Sequence, residues 1–354
     1  MPPAPSGARD SGIDLVKLLA IVFVIVHHVV DFGFVMPDAA GGLFRFVWYL
    51  VRNVAATCID LFALATGSLC VTSSGNVRRL PALWVQAVFT GTAVCLLCHL
   101  AGVRAGASDW LRTFLPVVTG EYWYFTAYFA VCLVSPFVNP GARSLGKTMF
   151  FRLLAVLFLC VSVPSILVHG DPFVLRHGYS FAWLLLLYLF GAYWRLHVPD
   201  PPRASVCWMV LGACSLSFLL PSLGKRVFAG ALGDWFGGIN PVYPSSPSML
   251  AMALAIFGLC RHVRLRSPRG RQVLASLSGL SFGMYLWLVH PVFWRGFWQP
   301  CLHRVEVPTL PLFLSRLLLV SATAFLAAGI LESIRKRLFR FVTDRLPRRT
   351  ERMT

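Results

Sequence analysis

The sequence predicts an all-α fold: a polytopic bundle of membrane-spanning helices. Three observations predict it. Of 354 residues, 57% are hydrophobic and only 13% charged, and the mean hydropathy is +0.70. Apolar runs of about 18 residues or more, long enough to cross a bilayer as a helix, recur from end to end. The basic residues, which raise the formal net charge to +18, fall mainly in alternate short loops. A backbone in lipid must satisfy its polar groups internally, which leaves helices or a closed barrel. The short alternating segments of a barrel are absent.

About ten spans are expected, near residues 13–34, 46–73, 81–101, 121–139, 150–168, 179–196, 205–222, 248–262, 274–298 and 311–333. The first is not a cleavable signal, because it contains Asp14 and Lys17 and no small-residue cleavage site follows. The basic loops hold Arg78 and Arg79; Arg143, Lys147 and Arg152; Arg195 and Arg203; and Arg261 to Arg271. A last group runs from Arg335 to Arg352. Such alternation is the positive-inside pattern and puts both termini in the cytoplasm, with ten spans returning the chain to its starting side. The expected organisation is a cytoplasmic segment 1–12, a transmembrane domain 13–333 and a basic tail 334–354 set against anionic lipid headgroups. No stacking motif accompanies the charge, which argues against nucleic acid as a partner. The longest outer loop, 223–247, carries Asp234, Trp235, Asn240 and Tyr243. Long loops often carry function, and a surface connector is the plainer reading.

Ten cysteines are scattered through the apolar runs. Cys58, Cys70, Cys132, Cys160, Cys207 and Cys214 read there as small hydrophobes. Cys95-Leu-Leu-Cys98-His99 has the spacing of a c-type haem attachment site. It lies within an apolar span with no second axial ligand evident, so small residues packing between helices is the reading kept. No metal-ligand cluster is visible.

Charged and imidazole groups inside the spans point to function, because ionisable groups in a bilayer are unfavourable and usually mark a pathway or site. The first span carries Asp14 and Lys17 and ends on His27-His28. Lys17 and His28 are eleven residues apart, about 16 Å and close to three turns, so they share a helix face. Adjacent helical residues diverge by about 100°, so His27 is not expected to share that face with His28. On the inferred topology His28, His290, Arg52, Asp60, Trp123 and Tyr124 fall in the outer half, which suggests a polar cavity. Pro291 is expected to bend the ninth span just beyond His290. Each group also has a plainer reading: Lys17 as a snorkelling side chain, the histidines as hydrogen-bonded structural groups. Arg295, Arg316 and Glu332, near span ends, read as interface anchors.

Four segments together resemble the acyltransferase-3 family of bacterial integral-membrane acyltransferases, especially its O-acetyltransferase branch. The first is Ile13-Asp14-Leu-Val-Lys17-Leu-Leu-Ala20 through His28, similar to the family's basic residue, ten-residue gap and histidine. The second is Asp60-Leu-Phe62-Ala-Leu-Ala-Thr66-Gly67-Ser-Leu. The third is Trp123-Tyr-Phe-Thr-Ala-Tyr128 leading to Ser135-Pro136. The fourth is Leu280-Ser281-Phe-Gly283-Met-Tyr285-Leu through His290-Pro291. Gly178-Tyr-Ser180 to Tyr188-Leu-Phe-Gly191-Ala-Tyr193 is a weaker fifth. Lys17 stands where Arg is commoner, keeping the charge but not the bidentate fork. Ala63 and Thr66 stand where a second aromatic and Ser are usual.

The resemblance implies transfer of an acyl group, acetyl above all, from acyl-CoA to a hydroxyl of a cell-surface glycan or lipid-linked sugar at the bacterial inner membrane. Acyl-CoA is then a substrate, and no tightly bound cofactor is expected. His28 is implied as general base or transient acyl carrier, Lys17 as the donor-binding cation, and Asp14 as the residue orienting Lys17. Arg52, Asp60, Thr66, Trp123, Tyr124, Ser281 and His290 are implied on the substrate side. The alternative from another class is a proton-coupled transporter or flippase using the histidine pair. It accounts for the buried His and Asp, but not for a lysine at the cytoplasmic end of the first helix. A purely structural subunit predicts no cavity.

Overall fold

The structure, a computed structural model, describes residues 9–73, 77–167, 171, 173–302 and 305–345. The tail beyond residue 345 and residues 1–8 lie outside the described residues. Helix α1 spans Ser11–His28 and runs without a break into a π-helical turn, Val29–Gly33. Asp10 caps it, its carboxylate accepting from the backbone N–H groups of Gly12 and Ile13. Then come α2 (Gly42–Ala56), α3 (Cys58–Cys70), α4 (Leu80–Leu100), the short α5 (Ala107–Phe114), α6 (Trp123–Ser144), α7 (Lys147–Val161) and α8 (Pro164–Leu167). The second half holds α9 (Phe181–His197), α10 (Ala204–Ser215), α11 (Leu220–Val227), α12 (Gly230–Gly238) and α13 (Pro247–His262). The chain ends in α14 (Pro268–Ser278), α15 (Ser281–Leu288), α16 (Pro291–Phe293), α17 (Gln299–Leu302) and the long α18 (Leu310–Arg345). Two short strands, β1 (Phe34–Val35) and β2 (Val305–Glu306), pair in parallel and tie the exit of α1 to the entry of α18.

The chain is an all-helical, multi-pass membrane protein. Among the described residues, seven stretches are long and apolar enough to cross a bilayer, and eight if the bent pair Pro268–Leu288 and Pro291–Leu302 is one span. The expected count of ten includes, in addition, α9 and α13, which are helices of 17 and 16 residues. A straight helix needs about 20 residues to span the hydrocarbon core. The bend before Pro291 measures 58°. Proline cannot continue the hydrogen-bond ladder, and here it opens the next helix, with His290 as its N-cap. The last helix does not stop near 333 but continues to Arg345. The 223–247 stretch includes α12, folded back on α11 with Phe228 and Phe236 stacked at 5.0 Å.

Helix α1 sits at the centre, packed against α2, α3, α13, α14, α15 and α18. Its Ile13, Val16, Ala20, Ile21, Val24 and Ile25 are buried. Helices α3 and α9 approach most closely through two glycines: a Cβ on Gly67 would overlap the Tyr188 carbonyl, and one on Gly191 the Leu64 carbonyl. The outward faces of α7 and α18 expose Phe151, Val156, Leu159, Leu318, Leu319 and Leu326, as lipid contact requires. None of the ten cysteines is in a disulfide. Cys95 and Cys98 are buried in the α4 interface, whereas Cys160 is exposed.

The residues expected as interface anchors have partners within the protein. Glu332 is fully buried and takes a two-pronged bond from Arg335, at 2.6 and 2.8 Å. Arg295 pairs with Asp109 at 2.6 Å. Arg316 donates to the Glu306 carbonyl at 3.1 Å.

Candidate active site

A cavity of about 330 Å³ lies at the His28 end of α1. That is at the small end of the range for small-molecule sites, roughly 300–1,000 Å³. Five regions of the chain meet there. The end of α1 and its π-helical turn supply Val24, His27, His28 and Phe32. The start of α3 supplies Cys58, Ile59 and Phe62, and the entry to α6 supplies Glu121, Tyr122, Trp123 and Tyr124. Tyr179, Tyr285, Val289 and Trp294 complete the wall. The π-helical turn directly after His28 widens the helix at this point; such turns recur at functional sites.

His28 is held in one tautomer. Its Nδ1 lies 2.7 Å from the Val24 carbonyl oxygen, which can only accept, so Nδ1 carries the hydrogen and Nε2 carries the lone pair. The ring packs edge-on to Trp294 at 5.5 Å. His27 also lines the cavity, which corrects the expectation that only one of the pair would. The 100° divergence is real, and the two rings stand 88° apart at 5.7 Å, but the cavity wraps around the end of α1 and meets both. On the far side of His27, Asp31 lies 3.7 Å away. Asp31 in turn accepts from Arg52 at 2.5 and 3.3 Å.

Trp123 stands edge-on to Tyr124 at 5.5 Å and to Tyr179 at 4.9 Å. The hydroxyls of Tyr122 and Tyr124 are buried without a hydrogen-bond partner among the described residues. Glu121 precedes the spanning helix α6, and burial pushes its carboxyl above the ordinary range, with the nearby Arg112 opposing.

At the other end of α1, a second groove of about 550 Å³ is lined by Arg9, Gln272, Lys336, Arg337 and Arg340, among others. Lys17 is partly buried near this end and makes no hydrogen bond or ion pair with the described residues.

Residues 10–332 match the family described as an acyltransferase domain, acyltransferase-3. The chain belongs to the acyltransferase-3 family. It is therefore a multi-pass membrane acyltransferase. No curated protein and no solved structure matches it.

Within this acyltransferase-3 chain, His28, Trp123 and Tyr124 share the cavity. The other residues expected on the substrate side do not line it. Arg52 is turned to Asp31. Asp60 is fully buried and accepts from the Trp183 indole N–H at 3.1 Å, joining α3 to α9. Thr66 donates its hydroxyl to the Phe62 carbonyl one turn back, at 2.8 Å. Ser281 is buried at the start of α15. His290 caps α16, its Nδ1 accepting from the Val292 N–H at 3.2 Å. Its ring lies behind Tyr122, at 5.7 Å. Asp14 makes no hydrogen bond to Lys17: it accepts from Arg9 at 2.6 and 3.0 Å and from Ser278 at 2.6 Å. With both oxygens so engaged, it ties α14 and the start of the chain to α1.

His27, Glu121, Tyr122, Tyr179, Tyr285 and Trp294 line the cavity and were not singled out from sequence as site residues. Glu121, Tyr122, Tyr179 and Tyr285 stand in or beside the segments that carry the family resemblance. Trp294 stands in none, and only the bend at Pro291 brings it over His28.

Proposed function

We propose that this acyltransferase moves an acetyl group from acetyl-CoA to a hydroxyl of a glycan or lipid-linked sugar, with His28 as general base. The observation that carries the reading is the His28 geometry: Nδ1–H held by the Val24 carbonyl, with a basic Nε2 at an aromatic-walled cavity. A hydroxyl is a poor nucleophile at neutral pH, and an imidazole is the side chain best matched to remove its proton. In the proposed step the acceptor oxygen attacks the thioester carbonyl carbon while its proton passes to Nε2. The tetrahedral adduct then collapses, the C–S bond breaks, and the CoA thiolate takes the proton back from the imidazolium. The product is an ester and free CoA, and the base is regenerated.

The opposite end of α1 suits the donor's phosphates. Lys17 and the groove containing Arg9, Lys336, Arg337 and Arg340 concentrate positive charge there. CoA carries its phosphates and its thioester at opposite ends of a long flexible arm, so one donor molecule fits a basic end and a reacting end about 16 Å apart along a helix. In this reading the basic end faces the cytoplasm and the protein resides in a bacterial inner membrane. Aromatic walls suit the C–H faces of a sugar ring.

The test of the class is consumption of acetyl-CoA by the purified protein, with release of free thiol, in the presence of glycan extracts. Thiol release that depends on the extract and leaves labelled acetyl on it supports the reading. No release with any extract, or release with every label recovered as acetate, overturns it.

A further inference from the structure

Beside the main cavity lies a second, much smaller space of about 10 Å³. The two share Val24, His28, Val289 and Trp294, and Ile25, Leu288 and Trp298 complete the wall of the smaller one. Segments distant in sequence build it. The end of α1 supplies Val24, Ile25 and His28, and the end of α15 supplies Leu288 and Val289. A second π-helical turn, Trp294–Trp298, supplies the two indoles. The 58° bend before Pro291 turns that segment over the end of α1, so that Trp294 meets His28 at 5.5 Å and stacks on Trp298 at 5.6 Å.

Apart from His28 this wall consists of aliphatic side chains and indole rings. A space of this volume is about the least that holds one water, and a water there needs several polar partners. The His28 Nδ1–H is already given to the Val24 carbonyl, and the Trp298 indole N–H is sealed off. An apolar space of this kind stays dry and suits an apolar guest about the size of a methyl group.

Acyl transfer at His28 calls for such a guest site. The thioester carbonyl carbon has to come within about 3–3.5 Å of the acceptor oxygen whose proton passes to the base. That carbon also carries an alkyl substituent, which must lie close to the same histidine. The acceptor and the arm of the donor need the larger cavity; the smaller space is left for the alkyl group.

We propose that the space walled by Ile25, Leu288, Val289 and Trp298 is the acyl pocket, which holds the alkyl end of the donated group and restricts it to acetyl. The assignment rests on the acyl-CoA reading for its occupant. Ile25, Leu288 and Trp298 are buried, and a close-packed wall admits an extra methylene only by forcing side chains off their rotamers or shifting backbone. One methylene too many in such a pocket is worth about tenfold or more in specificity.

The experiment uses the purified full chain with acetyl-, propionyl- and butyryl-CoA. Each donor competes against labelled acetyl-CoA in a scintillation proximity binding assay, and each is offered for transfer to glycan extracts. In the wild type, kcat/KM should fall at least tenfold from acetyl- to propionyl-CoA and further for butyryl-CoA, and competition should weaken in the same order. Leu288→Ala, which deepens the pocket, should raise the butyryl-to-acetyl ratio at least tenfold in both assays. Val289→Ala should shift it less, in the same direction, and decides the matter if the Leu288 variant does not fold. A ratio between two donors on one preparation does not move with a general loss of folded protein.

A wild type that binds and uses butyryl-CoA within threefold of acetyl-CoA would overturn the assignment. So would a donor ratio unchanged in both variants, which would leave the space a packing gap only. Donor ratios that shift in binding, with no transfer to any extract, would leave the pocket standing and remove the acetyl-to-glycan reading. Acetyl transfer with an unshifted ratio would do the reverse, and a wild type that binds no acyl-CoA would remove both.

Discussion

Replacing His28 with Ala separates chemistry from folding, because the structure assigns the two very different costs. A positioned general base contributes about 10²–10⁴ in rate, which at about 1.36 kcal/mol per tenfold corresponds to roughly 3–5 kcal/mol of barrier. The structural loss is smaller. One hydrogen bond disappears, Nδ1–H to the Val24 carbonyl, worth about 1 kcal/mol net. The Val24 carbonyl is not orphaned, since it is also the helical acceptor for the His28 backbone N–H. The ring borders an existing cavity, so its removal enlarges open space rather than creating a sealed void. For a chain of this size about 1 kcal/mol moves Tm by a few degrees at most. The assay is acetyl-CoA-dependent labelling of glycan extract, alongside a thermal melt in detergent. His28→Ala should lose at least a hundredfold in rate and no more than a few degrees in Tm. His28→Gln, whose amide can still donate to Val24 but has no basic nitrogen, should be as inactive. A rate within tenfold of wild type in either variant would refute the assignment of His28 as base. So would full activity in the Gln variant beside an unfolded Ala variant, which would make the residue structural.

Three further outcomes are expected. Lys17→Ala should raise the acetyl-CoA KM about tenfold with a smaller effect on kcat, and Lys17→Arg should restore it; an unchanged donor KM removes Lys17 from donor binding. Gly67→Ala or Gly191→Ala places a methyl group against a backbone carbonyl of the facing helix and should destabilise the α3–α9 contact by about 1–3 kcal/mol or more, read as a lower Tm and loss of the monodisperse peak in detergent. A Tm equal to wild type would show that the two helices are not so close. Asp109 gives a pH test: burial raises its carboxyl pKa, but the Gly106 N–H and Arg295 outweigh this and hold it below the ordinary 3.8. A depressed folded-state pKa stabilises above the unfolded value and is lost as pH falls through the folded one. Asp109→Asn should therefore melt lower than wild type at pH 7, and the gap should close on acidification below about 3.8. A gap that is constant with pH would show that the Arg295 pair adds no charge-dependent stability.

Much of the architecture is legible before any coordinates. The apolar runs, the break at Pro291 and the membership of the acyltransferase-3 family all follow from one-dimensional signals of length, composition and motif order. The span limits were less legible: α9 and α13 are short, and α18 continues through its basic segment to Arg345. Helix ends depend on capping and on neighbours more than on hydropathy. Of the residues expected on the substrate side, Trp123 and Tyr124 reach the cavity because they open α6 beside the end of α1. Asp60, although a carboxylate inside a span, faces α9 and is claimed by Trp183. His290 is claimed by the helix start that it caps.

What the sequence by itself determined is what a single helix carries: a lysine and a histidine eleven residues apart on the first span, and a chain that must live in lipid. These depend on helical period and on the unfavourable burial of charge, which are local. What only the tertiary structure decided is which polar groups share a space. Asp14 serves Arg9 and Ser278 rather than Lys17, His27 joins His28 at the cavity, and Glu121 is sealed into the same wall. Those outcomes follow from the rotation and closeness of helices distant in sequence, and helix periodicity specifies neither.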